Sequence, residues 1–289
     1  MNATHSTDSD QTALWNSPAA CAWVDAQELI DRVYAPLEEL LVEAAIATSG
    51  DRVLDVGCGT GGTTLAVARR LGADSRCVGV DVSGPMIAAA RARAQREHTP
   101  ARFICADAQT HGFEPASFDM IISRFGVMFV NDFAAAFANL RRAVVDGGQL
   151  RFIAWRSAEE NPFMTTAERA AAALLPNIPD RQPDAPGQFA FADRSRVSRI
   201  LEESGWAGID VQAIDVPCTF PEKELVGYVS RFGPLGRIFP ELDENTRTQV
   251  IEAVRPAFNS YVHGAEVRFT AACWMASAPG RDADGARAT

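Results

Sequence analysis

Short apolar runs alternate with longer amphipathic stretches through the middle of the chain. Strands are predicted at residues 52–56, 76–80, 102–105, 118–123 and 149–155. Each run is short, rich in apolar residues and bounded by glycine or polar residues, which is the pattern of a buried strand. Between the runs, apolar residues recur at helical spacing, and helices are predicted to start after Ser83 and Asp132. This alternation predicts a parallel sheet with helices on both faces.

The regular alternation is confined to this middle region. Before it, the pattern predicts helices, one of which starts at Pro36. After it, residues 176–187 are too rich in proline for a regular element, and a last strand is predicted at 267–276. We divide the chain into a disordered tail (1–13), an N-terminal helical lid (14–47), the sheet core (48–156), a cap insertion (157–192), a completion of the sheet (193–278) that contains a second helical insertion at about 221–264, and a disordered tail (279–289).

A glycine-dense turn follows the first predicted strand. Its sequence is Gly57-Cys58-Gly59-Thr60-Gly61-Gly62. Glycine permits backbone dihedrals closed to other residues and lets a ligand lie against the main chain. The N–H groups that open the next helix favour negative charge in front of them. The spacing of Gly57, Gly59 and Gly62 also matches the dinucleotide fingerprint, so the turn alone does not identify the ligand.

Three carboxylates lie in or directly after the first three predicted strands. Asp55 stands in the first strand, Asp81 follows the second and Asp107 follows the third. Parallel strands end at the same edge of a sheet, so these side chains are predicted to converge on one crevice.

These residues resemble the class I S-adenosylmethionine (SAM)-dependent methyltransferases, in particular those similar to the quinone-biosynthesis C-methyltransferases. Leu54 to Gly61 resembles the first motif of the family, and Val80 to Ser83 resembles its ribose-binding strand end. Ala106 to Ala108 resembles the adenine-edge motif, and Ser123 to Phe129 resembles the segment beneath the sulfonium. The resemblance implies a Rossmann-like, seven-stranded, mostly parallel sheet.

The resemblance also implies the cofactor, SAM, its product S-adenosylhomocysteine, and no metal. Asp81 is expected to accept hydrogen bonds from both ribose hydroxyls, and Asp107 from the adenine amino group. Asp55 is expected either to bind the cofactor ammonium or to hold the glycine turn. The other residues expected at the cofactor are Trp15, Trp23, Gln27, Gly57, Gly59, Thr60, Gly61, Val82, Met86, Ala108, Ser123, Arg124 and Met128.

The acceptor pocket is expected to be aromatic. Its candidate residues are Phe125, Phe129, Trp155, Asn161, Phe163, Met164, Tyr228 and Phe232, for each of which core packing is the alternative. Arg124 has two possible roles, binding an anionic group of the acceptor or forming a structural salt bridge. Should the acceptor be a phenol or a carbon acid, His111 or His263 could serve as a general base.

Composition excludes several classes of partner. The 289 residues carry a net charge of −10, which disfavours nucleic acid and anionic membranes. No apolar run is long enough to span a membrane. The six cysteines show no metal-ligand spacing, which is typical of reduced thiols in a cytoplasmic protein. We expect a monomer or homodimer.

The sequence therefore predicts transfer of a methyl group to O, N or C of a small metabolite, by in-line displacement and mainly by proximity. The expected acceptor is aromatic or terpenoid-like, of the kind found in secondary metabolism. Two alternatives remain: an NAD(P)-dependent oxidoreductase and a SAM-binding protein without catalytic activity. Asp55 and the Asp107-Ala108 pair argue against the first, and the cap insertion argues against the second.

Overall fold

The computed structural model describes residues 8–48, 50–176, 178, 181 and 185–280. In these residues the helices are α1 (Asp8–Trp15), α2 (Pro18–Asp25), α3 (Gln27–Ile46), α4 (Gly62–Leu71), α5 (Gly84–Glu97), α6 (Phe133–Ala143), α7 (Pro162–Ala171), α8 (Arg194–Glu203), α9 (Leu225–Val229), α10 (Gly233–Ile238) and α11 (Glu244–Ala257). The strands are β1 (Arg52–Val56), β2 (Arg76–Asp81), β3 (Arg102–Cys105), β4 (Phe118–Arg124), β5 (Val144–Trp155), β6 (Asp210–Pro221), β7 (Val262–His263) and β8 (Glu266–Pro279).

The strands form one sheet in the order β3-β2-β1-β4-β5-β8-β6. β1 to β5 pair in parallel, whereas β8 runs antiparallel to both β5 and β6. The two-residue strand β7 pairs with β8 beside this path. The predicted fold class is confirmed, because seven strands follow this path, five of them in parallel, and helices surround the sheet.

The N-terminal segment differs from the prediction. α1 begins at Asp8, within the stretch expected to be a disordered tail, and residues 1–7 lie outside the described residues. α1 is held because the ring of Trp15 packs edge-on against Phe129, with centroids 5.1 Å apart. Pro36 does not start a new helix but lies within α3, on its exposed side, where water can solvate the carbonyl it leaves unpaired.

α3 is a core helix rather than a mobile part of the lid. Its residues Val33, Leu37, Leu41 and Ala45 are fully buried, and the helix packs against α4 and β6. Of the predicted lid, α1 and α2 contribute residues to the cavity described below, and α3 contributes Ile30 and Tyr34.

At the other end, β8 extends through Pro279, which pairs with Gln149, so the tail predicted from residue 279 is wrong at that residue. Residues 281–289 lie outside the described residues. The two predicted insertions meet in space, because α7 of the first packs against α10 and α11 of the second. None of the helices in the described part of the chain combines the length and apolar character that a bilayer span needs.

Candidate functional site

A cavity of about 700 Å³ lies at the edge where β1, β2, β3 and β4 end. One part of its wall is the glycine turn after β1 together with the ends of β2 and β3. The rest includes residues of α1, α2, α3, α7, α9 and α10, the end of β5, the segment after β4 and residues that precede α8. The cavity therefore joins the predicted cofactor motifs to the predicted acceptor residues.

The glycine turn needs glycine at two positions of this wall. Gly57 has φ +67°, and a Cβ there would lie 2.4 Å from the Cα of Gly126. Gly59 has φ +55° and leaves room in front of Met86. A side chain at either position would be strained, and at Gly57 it would push the segment after β4 away.

Asp81 is held at the cavity wall by the backbone. Its Oδ2 accepts a hydrogen bond from the N–H of Gly59 (2.8 Å), and its Oδ1 accepts from the N–H of Ser83 (2.9 Å). Burial raises the pKa of Asp81, although these backbone hydrogen bonds counteract the shift. Each carboxylate oxygen keeps a further lone pair for a ligand.

The loop after β3 is fixed by a residue that the sequence analysis missed. Asp107 accepts a hydrogen bond from the N–H of Gln109 (2.8 Å) and lines the cavity with Ala108. The buried amide of Asn139 in α6 donates to the carbonyls of Ala108 and His111, at 2.8 Å each. The signal in the sequence was that Asn139, a polar residue, lies on the apolar side of the helix predicted to start after Asp132.

Asp55 does not reach the cavity. Its side chain is 2% exposed and accepts a hydrogen bond from the hydroxyl of Thr64 (2.7 Å). Burial raises the pKa of Asp55 to about 6. Of its two expected roles, the contacts fit the structural one, because Asp55 ties β1 to the first turn of α4.

Ser123 is likewise a structural residue. Its hydroxyl donates to the carbonyl of Val56 (2.7 Å) and accepts from the N–H groups of Gly126 (3.1 Å) and Val127 (3.2 Å). These bonds anchor the segment after β4, so that Phe125, Met128 and Phe129 line the cavity.

Arg124 lines the cavity and also faces a carboxylate. Its guanidinium lies 3.5 Å from Glu38 of α3, and both side chains are largely buried. Burial raises the pKa of Glu38, and the charge of Arg124 opposes that shift. The salt bridge foreseen as one of two roles is present.

Aromatic rings cover the outer side of the cavity. Trp23 packs edge-on against Trp15 and Phe232, with centroid distances of 5.7 and 4.8 Å. Between α1 and α2, Asn16 donates to the carbonyl of Val82 (3.0 Å) and accepts from the N–H of Gly84 (2.9 Å). The sequence analysis missed Asn16, which ties the N-terminal helices to the strand end that carries Asp81.

The far wall is also aromatic. Trp155, Phe163, Met164 and Tyr228 line the cavity, and so does Tyr34 of α3, which was not predicted. Arg181, a further residue missed, also lines it, and its guanidinium pairs with Glu168 and lies over the ring of Phe189.

The remaining candidates in the described part of the chain do not line the cavity. They are Gln27, Asp55, Gly61, Ser123, Asn161, His111 and His263. Gly61 faces the ring of Phe103, to which a Cβ would come within 2.8 Å. The amide of Asn161 is bonded to both backbone groups of Ala272 in β8, at 2.9 Å each.

Neither histidine is placed to act as a base at this cavity. His111 packs edge-on against Phe113 (4.7 Å), and His263 is exposed in β7. Other described candidates for the cofactor, namely Thr60, Val82, Met86 and Met128, do line the cavity. No group of three or more His, Cys, Asp or Glu among the described residues could hold a metal ion.

Residues 53–148 match the family described as a methyltransferase domain. Aklanonic acid methyltransferase of Streptomyces sp. (strain C5) is 32% identical over 120 residues, which make up 41% of this chain and 54% of that protein. An uncharacterized protein of Mycobacterium tuberculosis is 31% identical over 192 residues, which make up 66% and 67% of the two chains. A demethylmenaquinone methyltransferase of Renibacterium salmoninarum is 27% identical over 184 residues, 61% of this chain and 75% of that protein. The chain thus spans about half to three quarters of these relatives.

The fold is shared with a phosphoethanolamine N-methyltransferase of Haemonchus contortus solved with S-adenosyl-L-methionine. The TM-score is 0.56 at 18% identity, covering 97% of this chain and 61% of that one. The YcgJ protein of Bacillus subtilis gives a TM-score of 0.55 at 18% identity, covering 85% of this chain and 98% of that one. At this identity the likeness concerns the fold.

Proposed function

The chain belongs to the class I S-adenosylmethionine-dependent methyltransferases, similar to those of quinone biosynthesis, and from this premise we propose that it methylates a small aromatic or terpenoid-like metabolite. The atom that receives the methyl group is O, N or C. One observation carries the proposal: a single cavity joins Asp81 and Asp107 to the aromatic wall around Trp155 and Phe163. Family membership excludes the nicotinamide-dependent alternative.

The cofactor of this family is SAM, and the residues at the strand ends fit it. The carboxylate of Asp81 has free lone pairs for the two ribose hydroxyls, and Asp107 offers an acceptor for the adenine amino group. Gly57 and Gly59 present no side chain to this part of the wall. When bound, SAM supplies a methyl group on a positively charged sulfur.

The chain's own contribution is to align the acceptor and exclude water. Trp15, Trp23 and Phe232 cover the cavity from the outside, and the stacked rings of Phe125 and Trp155 line it. Aromatic faces suit both a flat apolar acceptor and a sulfonium. Neither His111 nor His263 lines the cavity. Alignment of the acceptor with the methyl group, rather than a histidine base, is therefore the main source of the rate acceleration.

The acceptor named by each relative belongs to that relative. Aklanonic acid and demethylmenaquinone, both named there, are consistent with a small-molecule acceptor, and the first is consistent with a place in secondary metabolism. All six cysteines are free thiols, which supports a cytoplasmic location. A monomer or homodimer, without nucleic-acid partners, stays a prediction.

Calorimetry with S-adenosylhomocysteine tests the cofactor site. We expect binding to the wild type, and a loss of about 10- to 100-fold in Asp81→Ala, because hydrogen bonds to a charged group contribute about 1.5–3 kcal/mol. Asp243→Ala, which removes the N-cap of α11 away from the cavity, should bind normally. Absence of heat with the wild type, or equal affinity in Asp81→Ala, would refute the site.

A screen of phenols, amines and quinols with methyl-labelled SAM then tests transfer. Label should appear in at least one class of acceptor. Binding of S-adenosylhomocysteine without label transfer to any acceptor would favour the alternative of a SAM-binding protein without catalytic activity.

A further inference from the structure

Two tyrosines from distant parts of the chain meet at the cavity wall. Tyr34 of α3 and Tyr228 of α9 both line the cavity, and each is 7% exposed. Their hydroxyl oxygens lie 2.9 Å apart. The ring of Tyr34 packs edge-on against Phe125 (5.6 Å) and Trp155 (6.0 Å), so the pair lies beside the segment that follows β4.

The pair has one proton more than its own hydrogen bond uses. Each hydroxyl carries one proton, and the bond between Tyr34 and Tyr228 takes only one of the two. In the described part of the chain, the Tyr228 hydroxyl donates a further hydrogen bond to the sulfur of Met164, 3.8 Å away. A thioether is a weak acceptor, so an oxygen of a ligand would be a better partner for this hydroxyl.

Both hydroxyls stay protonated near neutral pH. Burial raises the pKa of Tyr228 to about 12 and also raises that of Tyr34. The pair is therefore a donor and not a base. The rings around it belong to Phe125, Trp155 and Phe163, so the hydroxyls are a polar point in an aromatic wall.

We infer that the Tyr34–Tyr228 pair donates a hydrogen bond to a carbonyl or hydroxyl oxygen of the acceptor, and so selects oxygenated aromatic molecules over bare hydrocarbons. The inference rests on the proposed function, since it takes this cavity to be the acceptor site. It gives the pair a role in specificity and assigns it no proton transfer.

Equilibrium dialysis with 1-naphthol and naphthalene tests the inference, because the two probes share a ring system and differ in one hydroxyl. With protein saturated in S-adenosylhomocysteine, the wild type should prefer 1-naphthol by about three- to tenfold, the range of one net hydrogen bond. The double variant Tyr34→Phe/Tyr228→Phe should lose this preference while it still binds naphthalene. A pair with only a structural role would not change the ratio of the two affinities.

The third tyrosine of the chain provides the control. Tyr261 packs in the neighbouring aromatic cluster, 5.1 Å from Phe163, but is not among the residues that line the cavity. Tyr261→Phe should keep the wild-type preference. Should the double variant fail to fold, Tyr228→Phe is measured instead, with the same expected direction.

Lack of a preference for 1-naphthol in the wild type, or a preference that persists in the variants, overturns the inference. The proposed function is tested separately, because it fails if S-adenosylhomocysteine does not bind. In that case the ratio of the affinities for 1-naphthol and naphthalene is measured with the protein alone.

Discussion

The rings of Phe125 and Trp155 lie stacked, with centroids 4.6 Å and planes 6° apart. Phe125 holds this position with φ +68°, in the left-handed region that few residues other than glycine adopt. Its N–H donates to the carbonyl of Ile153 (3.0 Å). The stack and this bond hold the segment after β4 against β5, where it forms part of the cavity wall.

The left-handed backbone of Phe125 leads to an unusual order of stability. Phe125→Ala loses the stack and keeps the strain, whereas Phe125→Gly loses the stack and relieves the strain. We expect the glycine variant to be more stable than the alanine variant by about 1 kcal/mol in urea unfolding. At Phe129, whose φ is not positive, alanine should be the more stable of the two. Equal stability of both Phe125 variants would show that the strain is negligible.

The buried carboxyl of Asp55 predicts a dependence of stability on pH. Its pKa is about 6 in the fold, against about 3.9 in an unfolded chain. Between these values the folded state binds more protons, so the free energy of unfolding contributed by Asp55 falls as pH rises. Asp55→Asn keeps an acceptor for Thr64 and removes this titration. As pH is raised from about 4.5 to 8, the free energy of unfolding of the variant should therefore rise by about 2 kcal/mol relative to that of the wild type.

Asp119→Asn is the matched control for that experiment. Burial opposes ionisation of Asp119, but hydrogen bonds from Arg52 prevail and lower its pKa. This carboxyl is already ionised across the whole window, so its variant should differ from the wild type by a constant amount. If the free energy of unfolding of Asp55→Asn also differed from that of the wild type by a constant amount, the raised pKa assigned to Asp55 would be contradicted.

The Glu38–Arg124 salt bridge should contribute more to the free energy of unfolding than the exposed salt bridges do. Glu38→Ala leaves the guanidinium of Arg124 largely buried without its carboxylate, which we expect to cost about 2–3 kcal/mol of unfolding free energy. Glu39→Ala removes a carboxylate that pairs with Arg70 at the surface. The free energy of unfolding of this variant should equal that of the wild type. Urea unfolding of both variants at low and high salt checks this, and a loss in Glu38→Ala as small as that in Glu39→Ala would count against it.

Asn16 should keep the N-terminal helices closed over the cavity. Asn16→Ala removes its two hydrogen bonds to the backbone at Val82 and Gly84. Since each such bond contributes about 1 kcal/mol, amide hydrogen exchange in α1 should accelerate about fivefold or more. Asn245→Ala, in α11, should leave the exchange of α1 unchanged. Unaltered exchange in Asn16→Ala would mean that the aromatic contacts of Trp15 alone hold α1.

The strands of the core and the carboxylates at their ends were predictable because their signals are local. β1 and β3 match the predicted bounds, since a short apolar run next to a glycine turn specifies a buried strand. The positions of Asp81 and Asp107 at one edge follow from parallel pairing alone. α1 was not predicted, because it is held by Trp15 packing against Phe129, over 100 residues away in sequence.

The sequence by itself determined the sheet, the glycine turn and the side on which a nucleotide-like ligand would lie. Only the tertiary structure decided that Asp55, Ser123 and Asn161 face inward as supports, and that Tyr34 and Tyr228, separated by 194 positions, share a hydrogen bond. The physical reason is one of range. Periodicity and turn chemistry act between neighbours in sequence, whereas the direction of a side chain at a helix or strand end depends on what packs against it.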